Sequence, residues 1–254
     1  MGQIHVKERN EAVWITFDAP ERRNAFDPQM AQAAVEALEQ STDARAVVIT
    51  GAAGGFCAGG ALDLLGTPTL PQMRELYRMS LHLFDAVRTH PRPVIAAVNG
   101  AAAGGGNELV VACDLAVAAS SATFGQTGPR VGSAPVTGAT NVLGVQIGEK
   151  RAKEMAFLCR RYTAAQALEL GLVNQVVPDD ELEATVDGIV EELSALSPRY
   201  LEIAKVSSNI WWNQARDNFM GGLGMLVQAV GSEDMVEGAT SFLEKRKPRF
   251  PDPQ

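Results

Sequence analysis

Three consecutive glycines, Gly104, Gly105 and Gly106, separate an apolar run over residues 93–98 from an apolar segment that carries one carboxylate, Glu108. The run reads as a buried strand and the segment as a helix, which holds the chain to a strand, a glycine turn and a helix start. Glycine lets backbone approach a ligand closely. A helix that begins there turns unpaired N–H groups and the positive end of its dipole outward, an arrangement suited to a developing negative charge such as an enolate oxygen. Glu108, in the first turn, is well placed to move a proton at the atom next to a carbonyl.

A glycine-rich turn can also serve packing alone, and a first-turn carboxylate can serve only the helix dipole. Nucleotide binding fails on detail: Gly100-x-x-x-Gly104-Gly105-Gly106 has neither the Lys-Ser/Thr of a phosphate loop nor the spacing of a dinucleotide fingerprint. A net charge of −8 argues against nucleic acid or an anionic membrane as partner. The 254 residues, 46% hydrophobic, can bury one sizeable α/β core, with or without a small appendage. Cys57, Cys113 and Cys159 lie in apolar surroundings without metal-ligand spacing, so no metal is expected and the protein is read as reduced and cytoplasmic. No apolar signal core opens the sequence, and no stretch reaches the length of a membrane span. His5, His82 and His90 are read as surface or packing residues.

Along the chain, strands are predicted at 4–6 and 12–17 around Asn10-Glu11, and a helix from Asp27-Pro28 to Glu39. A strand at 46–50 runs into the loop 51–60, where Gly59-Gly60 offers a second N–H for a carbonyl oxygen. A helix at 70–88, a strand at 94–98, a helix at 108–113 and a strand at 115–118 follow. Residues 124–138 are too rich in Gly and Pro to be regular. Helices are then predicted at 150–158 and 164–170, the latter stopped by Gly171, then a strand at 172–177 and helices at 180–196, 198–220 and 223–246. This alternation predicts a largely parallel α/β core of βαβ units, 1–197, and a helical region, 198–254.

Several short pieces, taken together, are far more specific than any one alone. Asn24-Ala25-Phe26, Phe56-Cys57-Ala58-Gly59-Gly60, Ala97-Val98-Asn99-Gly100, residues 104–109, Cys113-Asp114, Phe124-Gly125-Gln126, residues 164–173 and Glu244-Lys245-Arg246-Lys247 resemble the crotonase superfamily, the enoyl-CoA hydratase/isomerase family, over nearly the whole chain. The resemblance implies a crotonase-like spiral of βαβ units whose C-terminal helical region packs on the core and on neighbouring subunits. A homotrimer or a hexamer of stacked trimers is therefore expected, with Trp211, Trp212 and Phe219 among the apolar residues of that region. It also implies an acyl-CoA thioester as substrate, coenzyme A being part of that substrate and no further cofactor being needed. By motif match the two oxyanion amides fall on Gly60 and Gly105, and an acid/base glutamate on Glu108. Coenzyme A contacts fall on Ala25, Ala58, Phe242 and Lys245.

Hydratases of the family carry a second glutamate in a Phe-Gly-x-x-Glu motif, which here reads Phe124-Gly125-Gln126-Thr127-Gly128. The stretch from Phe124 to Ser133 instead resembles the subgroup of ring-closing 1,4-dihydroxy-2-naphthoyl-CoA synthases and ring-opening 2-ketocyclohexanecarboxyl-CoA hydrolases. Gln126, Thr127, Gly128 and Ser133 are accordingly expected at the acyl group. The chain departs from that subgroup at Pro135, where a catalytic Asp belongs, and at Ala156, where a Trp helps hold bicarbonate. Three readings follow from this mosaic. One is a lyase or isomerase using Glu108, another is C–C bond formation or cleavage on a cyclic β-keto acyl-CoA, and the third is a catalytically weak CoA-binding protein.

Overall fold

The computed structural model describes residues 2–53, 55–61, 69–216 and 219–251. The chain opens with a hairpin, β1 (Gln3–Arg9) and β2 (Ala12–Asp18), whose turn residues Asn10 and Glu11 have φ of 49° and 63°. Left-handed backbone at both positions matches the twist of the strands they join. Next come α1 (Pro28–Glu39), capped by the Asp27 side chain accepting from Met30 N at 2.9 Å, then β3 (Ala46–Gly51) and α2 (Leu70–Thr89). The middle of the chain is β4 (Val94–Val98), β5 (Ala101–Ala103), α3 (Gly105–Ala112), β6 (Leu115–Ala119) and β7 (Thr123–Gly125). It continues through α4 (Ala139–Ile147), α5 (Glu149–Leu158), β8 (Tyr162–Thr163), α6 (Ala164–Leu170), β9 (Gln175–Val177) and α7 (Leu182–Ser194). Four helices finish it: α8 (Pro198–Ser208), α9 (Ile210–Arg216), α10 (Phe219–Gln228) and α11 (Glu233–Leu243).

One sheet runs β1-β2-β3-β4-β6-β9, parallel from β2 onward, and a second runs β5-β7-β8. Both faces of the larger sheet are covered. Ile15, Phe17, Ile49 and Val98 face α1, α2 and α3, while Trp14, Val48, Ile95 and Val117 meet Leu182, Val186 and Val190 of α7. Burial on both sides explains why β4 is apolar throughout instead of alternating. From β4 the chain passes to the second sheet at β5 and at once into α3, so the glycine turn sits where the two sheets meet.

Several predicted elements have different bounds. Helix α3 starts at Gly105, not at Glu108, because Gly104 makes the turn at φ 54° and leaves the next two glycines free to be helical. A helix, α4, follows Gly138, where no element is predicted. The strand predicted at 172–177 shortens to Gln175–Val177, since Leu172 and Val173 turn into the core and the Asn174 side chain accepts from Ala116 N at 2.8 Å. The helix predicted at 198–220 breaks at Asn209, whose side chain donates to Arg88 O at 2.7 Å. The helix predicted at 223–246 breaks at Gly231, φ 82°.

The C-terminal helices share the main core. Trp212 and Phe219 are fully buried, edge to face at 5.2 Å, and so are not available to neighbouring subunits as expected; Trp211 is 54% exposed. Lys205 of α8 is also buried. Its Nζ reaches Asp114 Oδ2 at 2.7 Å, Val87 O at 3.1 Å and Arg92 O at 3.0 Å, while the same Asp114 oxygen accepts from Val94 N at 2.8 Å. The histidines act in packing or at the surface: His90 accepts from Arg92 N and donates to Leu38 O, and His5 pairs with Asp18. Among the described residues no helix is long and apolar enough to cross a membrane.

Candidate active site

The site is built by loops pinned to one another through backbone. Asn24, buried, accepts from Ala19 N and donates to Ala52 O and Gly55 O, which clamps the loop after β2 to the loop after β3. Phe26 N then donates to Gly59 O at 2.8 Å and Ala61 N to Phe26 O at 2.9 Å, a bridge that fixes the peptide of Gly60 between them. Cys57 pairs with β5 through Cys57 N to Ala101 O and Ala103 N to Cys57 O. The glycines are needed for this approach. A β-carbon on Gly106 would lie 1.9 Å from Cys57 O, and one on Gly59, φ 92°, would lie 2.6 Å from Gly105 N.

The result brings Gly60 and Gly105 together: a β-carbon on Gly105 would sit 3.4 Å from Gly60 N. Gly105 opens α3, so its N–H has no partner within the helix. Neither amide donates to a backbone acceptor among the described residues. Both residues line one cavity of about 90 Å³, with Ala58, Glu108, Gln126, Thr127, Gly128 and Ser133. Eight of the residues expected from sequence thus converge there. Ala25 is buried beside the cavity's Phe26 without lining it, and Phe242 and Lys245, at the end of α11, lie elsewhere on the chain.

Glu108 is 4% exposed, and both its oxygens accept hydrogen bonds: Oε1 from Thr140 at 2.6 Å and Oε2 from Thr137 at 2.9 Å. Burial pushes its carboxyl pKa above the ordinary value, and the two threonine hydroxyls pull against that rise. Thr140 in turn accepts from Gln126 Nε2 at 3.4 Å, which leaves Gln126 Oε1 buried without a partner. Tyr77 of α2 also lines the cavity, its buried hydroxyl beside Ser133. Burial pushes that phenol up to about 12.

Gly128 packs against the following loop. A β-carbon there would lie 3.0 Å from both Ala134 Cα and Ser133 O, and Ser133 N donates to Gly128 O at 2.9 Å. Tyr77 and Thr137 carry no signal in the sequence that ties them to Glu108; Thr140 stands out only as the end of Gly132-x-x-Pro135-x-x-Gly138-x-Thr140, a pattern that resembles the hydratase loop. Burial raises the thiols of Cys57 and Cys113, to about 12 for Cys57, so both stay protonated. Among the described residues no group of three or more His, Cys, Asp or Glu side chains gathers as metal ligands do.

Residues 7–253 match the family described as enoyl-CoA hydratase/isomerase. Among solved structures, an enoyl-CoA hydratase from Mycobacterium avium subsp. paratuberculosis K-10 is 30% identical over 98% of both chains, with a TM-score of 0.86. An enoyl-CoA hydratase from Bacillus anthracis is 32% identical over 98% of both chains, with a TM-score of 0.80. A methylmalonyl-CoA decarboxylase in complex with 2-nitronate-propionyl-CoA is 26% identical over 99% of both chains, with a TM-score of 0.84.

Proposed function

The chain belongs to the enoyl-CoA hydratase/isomerase family, and on that premise we propose that it is an acyl-CoA lyase or isomerase in which Gly60 and Gly105 bind the thioester oxygen and Glu108 moves the proton. The observation that carries this reading is the approach of two glycine amides beside one buried carboxylate in a single cavity. In the proposed step the Glu108 carboxylate takes a proton from the acyl chain and the electron pair of that C–H bond moves into the thioester. The carbonyl oxygen gains negative charge, met by the two N–H groups, and Glu108 returns the proton to a carbon of the enolate. Preorganised donors of this kind contribute about 3–4 kcal/mol each in enzymes where one has been removed.

Residue 128 favours a second reading beside it. With glycine there, packed against Ser133 and Ala134, the carboxylate that would share water activation with Glu108 is absent, which suits C–C bond formation or cleavage on a β-keto acyl-CoA. Both readings need the enolate. Exchange of the α-protons of butyryl-CoA in D2O therefore tests their common step. Glu108→Gln should slow exchange by a factor of about a hundred to ten thousand while keeping ester affinity within a few-fold. Unchanged exchange would leave Glu108 as a structural charge only.

A further inference from the structure

Each amide of residues 57–61 can be followed to its acceptor. Cys57 N donates to Ala101 O, Ala58 N to Arg23 O and Ala61 N to Phe26 O, which leaves the two glycines between them. Gly59 N donates to the Cys57 sulfur, Sγ, at 3.3 Å, and Gly60 N has no acceptor among the described residues. The loop thus presents one free N–H, on a residue that lines the cavity. Cys57 is fully buried and has no task in the proposed proton transfer. Burial keeps its thiol protonated, with the Gly59 amide pulling the pKa the other way, so the sulfur is a neutral acceptor that brings no charge to the oxyanion pair.

Gly59 is the joint of this loop. Its φ of 92° suits glycine, and with no β-carbon nothing in the residue itself holds it there. Hydrogen bonds hold it from both sides. The peptide before it is held by the thiol on Gly59 N, and the peptide after it, which carries the Gly60 N–H, is held by Phe26 N donating to Gly59 O at 2.8 Å. Gly59 also lies against the second donor, since a β-carbon on it would be 2.6 Å from Gly105 N. Its torsions therefore set the direction of the Gly60 N–H relative to Gly105. A side chain that accepts from the N–H two residues on is the local bond Ser, Thr, Asn and Asp make in turns, and here a sulfur makes it. Removing the sulfur would orphan the N–H of a buried residue at the point where the two donors meet.

Resting on the acyl-CoA reading above, we propose that Cys57 is a positioning residue of the oxyanion hole: its sulfur fixes Gly59 so that Gly60 alone of this loop offers an N–H to the thioester oxygen. Infrared difference spectra of butyryl-CoA, isotopically labelled at the thioester carbonyl, test this. In the native protein the bound carbonyl band should move to lower frequency than that of the free ester, since two donors draw on the oxygen. Cys57→Ala should return the band part of the way and slow α-proton exchange by about tenfold, short of the roughly hundredfold or more that deleting one donor costs, with affinity within about twofold. Cys57→Ser keeps an acceptor two residues before Gly59 and should hold both band and rate within about twofold of the native shift and rate. A band in Cys57→Ala that stays at the native position, or a Cys57→Ser protein as impaired as Cys57→Ala, would overturn the assignment. Amide exchange read by fragmentation mass spectrometry needs no substitution: in the native protein Gly59 should exchange slowly, and Gly60 fast until butyryl-CoA is bound. Equal rates for the two amides in the free protein would overturn it as well. If the native band does not move on binding, the reading of Gly60 and Gly105 as oxyanion donors itself falls, and this inference with it.

Discussion

Each carboxylate oxygen of Glu108 accepts from one threonine hydroxyl, and Thr137 serves no other acceptor among the described residues. Desolvation raises the Glu108 pKa, so at neutral pH its charge opposes folding, a cost relieved as pH falls through the raised value. A rate that depends on the ionised carboxylate should rise with pH through a midpoint above the ordinary glutamate range. Thr137→Val removes one donor to the charged form, and the midpoint of kcat/KM against pH should move up by about one to two pH units. The sequence points to Glu108 through its place after the glycines. It does not point to Thr137 or Tyr77, because their relation to Glu108 exists only once α2 and the loop before α4 are packed on α3.

At the level of elements, α3 is seated by the missing side chain of Gly106. A β-carbon there would collide with Cys57 O at 1.9 Å, a backbone atom fixed by its bridge to β5. Gly106→Ala should therefore destabilise the protein by about 3 kcal/mol, read as a lowered urea midpoint at unchanged slope. Elements with one strong period or one unbroken apolar run are legible in the sequence: α1, α2 and β4 fall within a residue or two of their predicted ends. Those set by tertiary contact were not. Helix α4 hides behind Gly and Pro, β9 loses its first residues to the core, and the breaks at Asn209 and Gly231 follow from a side-chain contact to Arg88 O and from a left-handed residue. The second carboxylate is absent at the same level, since Gly128 is held by its loop and a larger residue there requires Ser133 and Ala134 to shift first.

Across the whole molecule, large apolar side chains remain exposed on the C-terminal half, Phe157, Tyr200, Trp211, Met225 and Phe242 among them. Such surface suits burial against copies of the same chain. A trimer or a pair of trimers is the expected result of light scattering at micromolar concentration, and a monomer would count against it. The buried ion pair of Lys205 bears on how the molecule is made. Lys205 emerges from the ribosome 91 residues after Asp114, whose carboxylate it will meet, a wait of about 5 to 18 s at 5–20 residues per second. For that interval the Asp114 carboxylate has the Val94 amide and no cation from α8. The nascent strands around it can pair during synthesis, but the last stage of locking belongs to a helix translated after all of them.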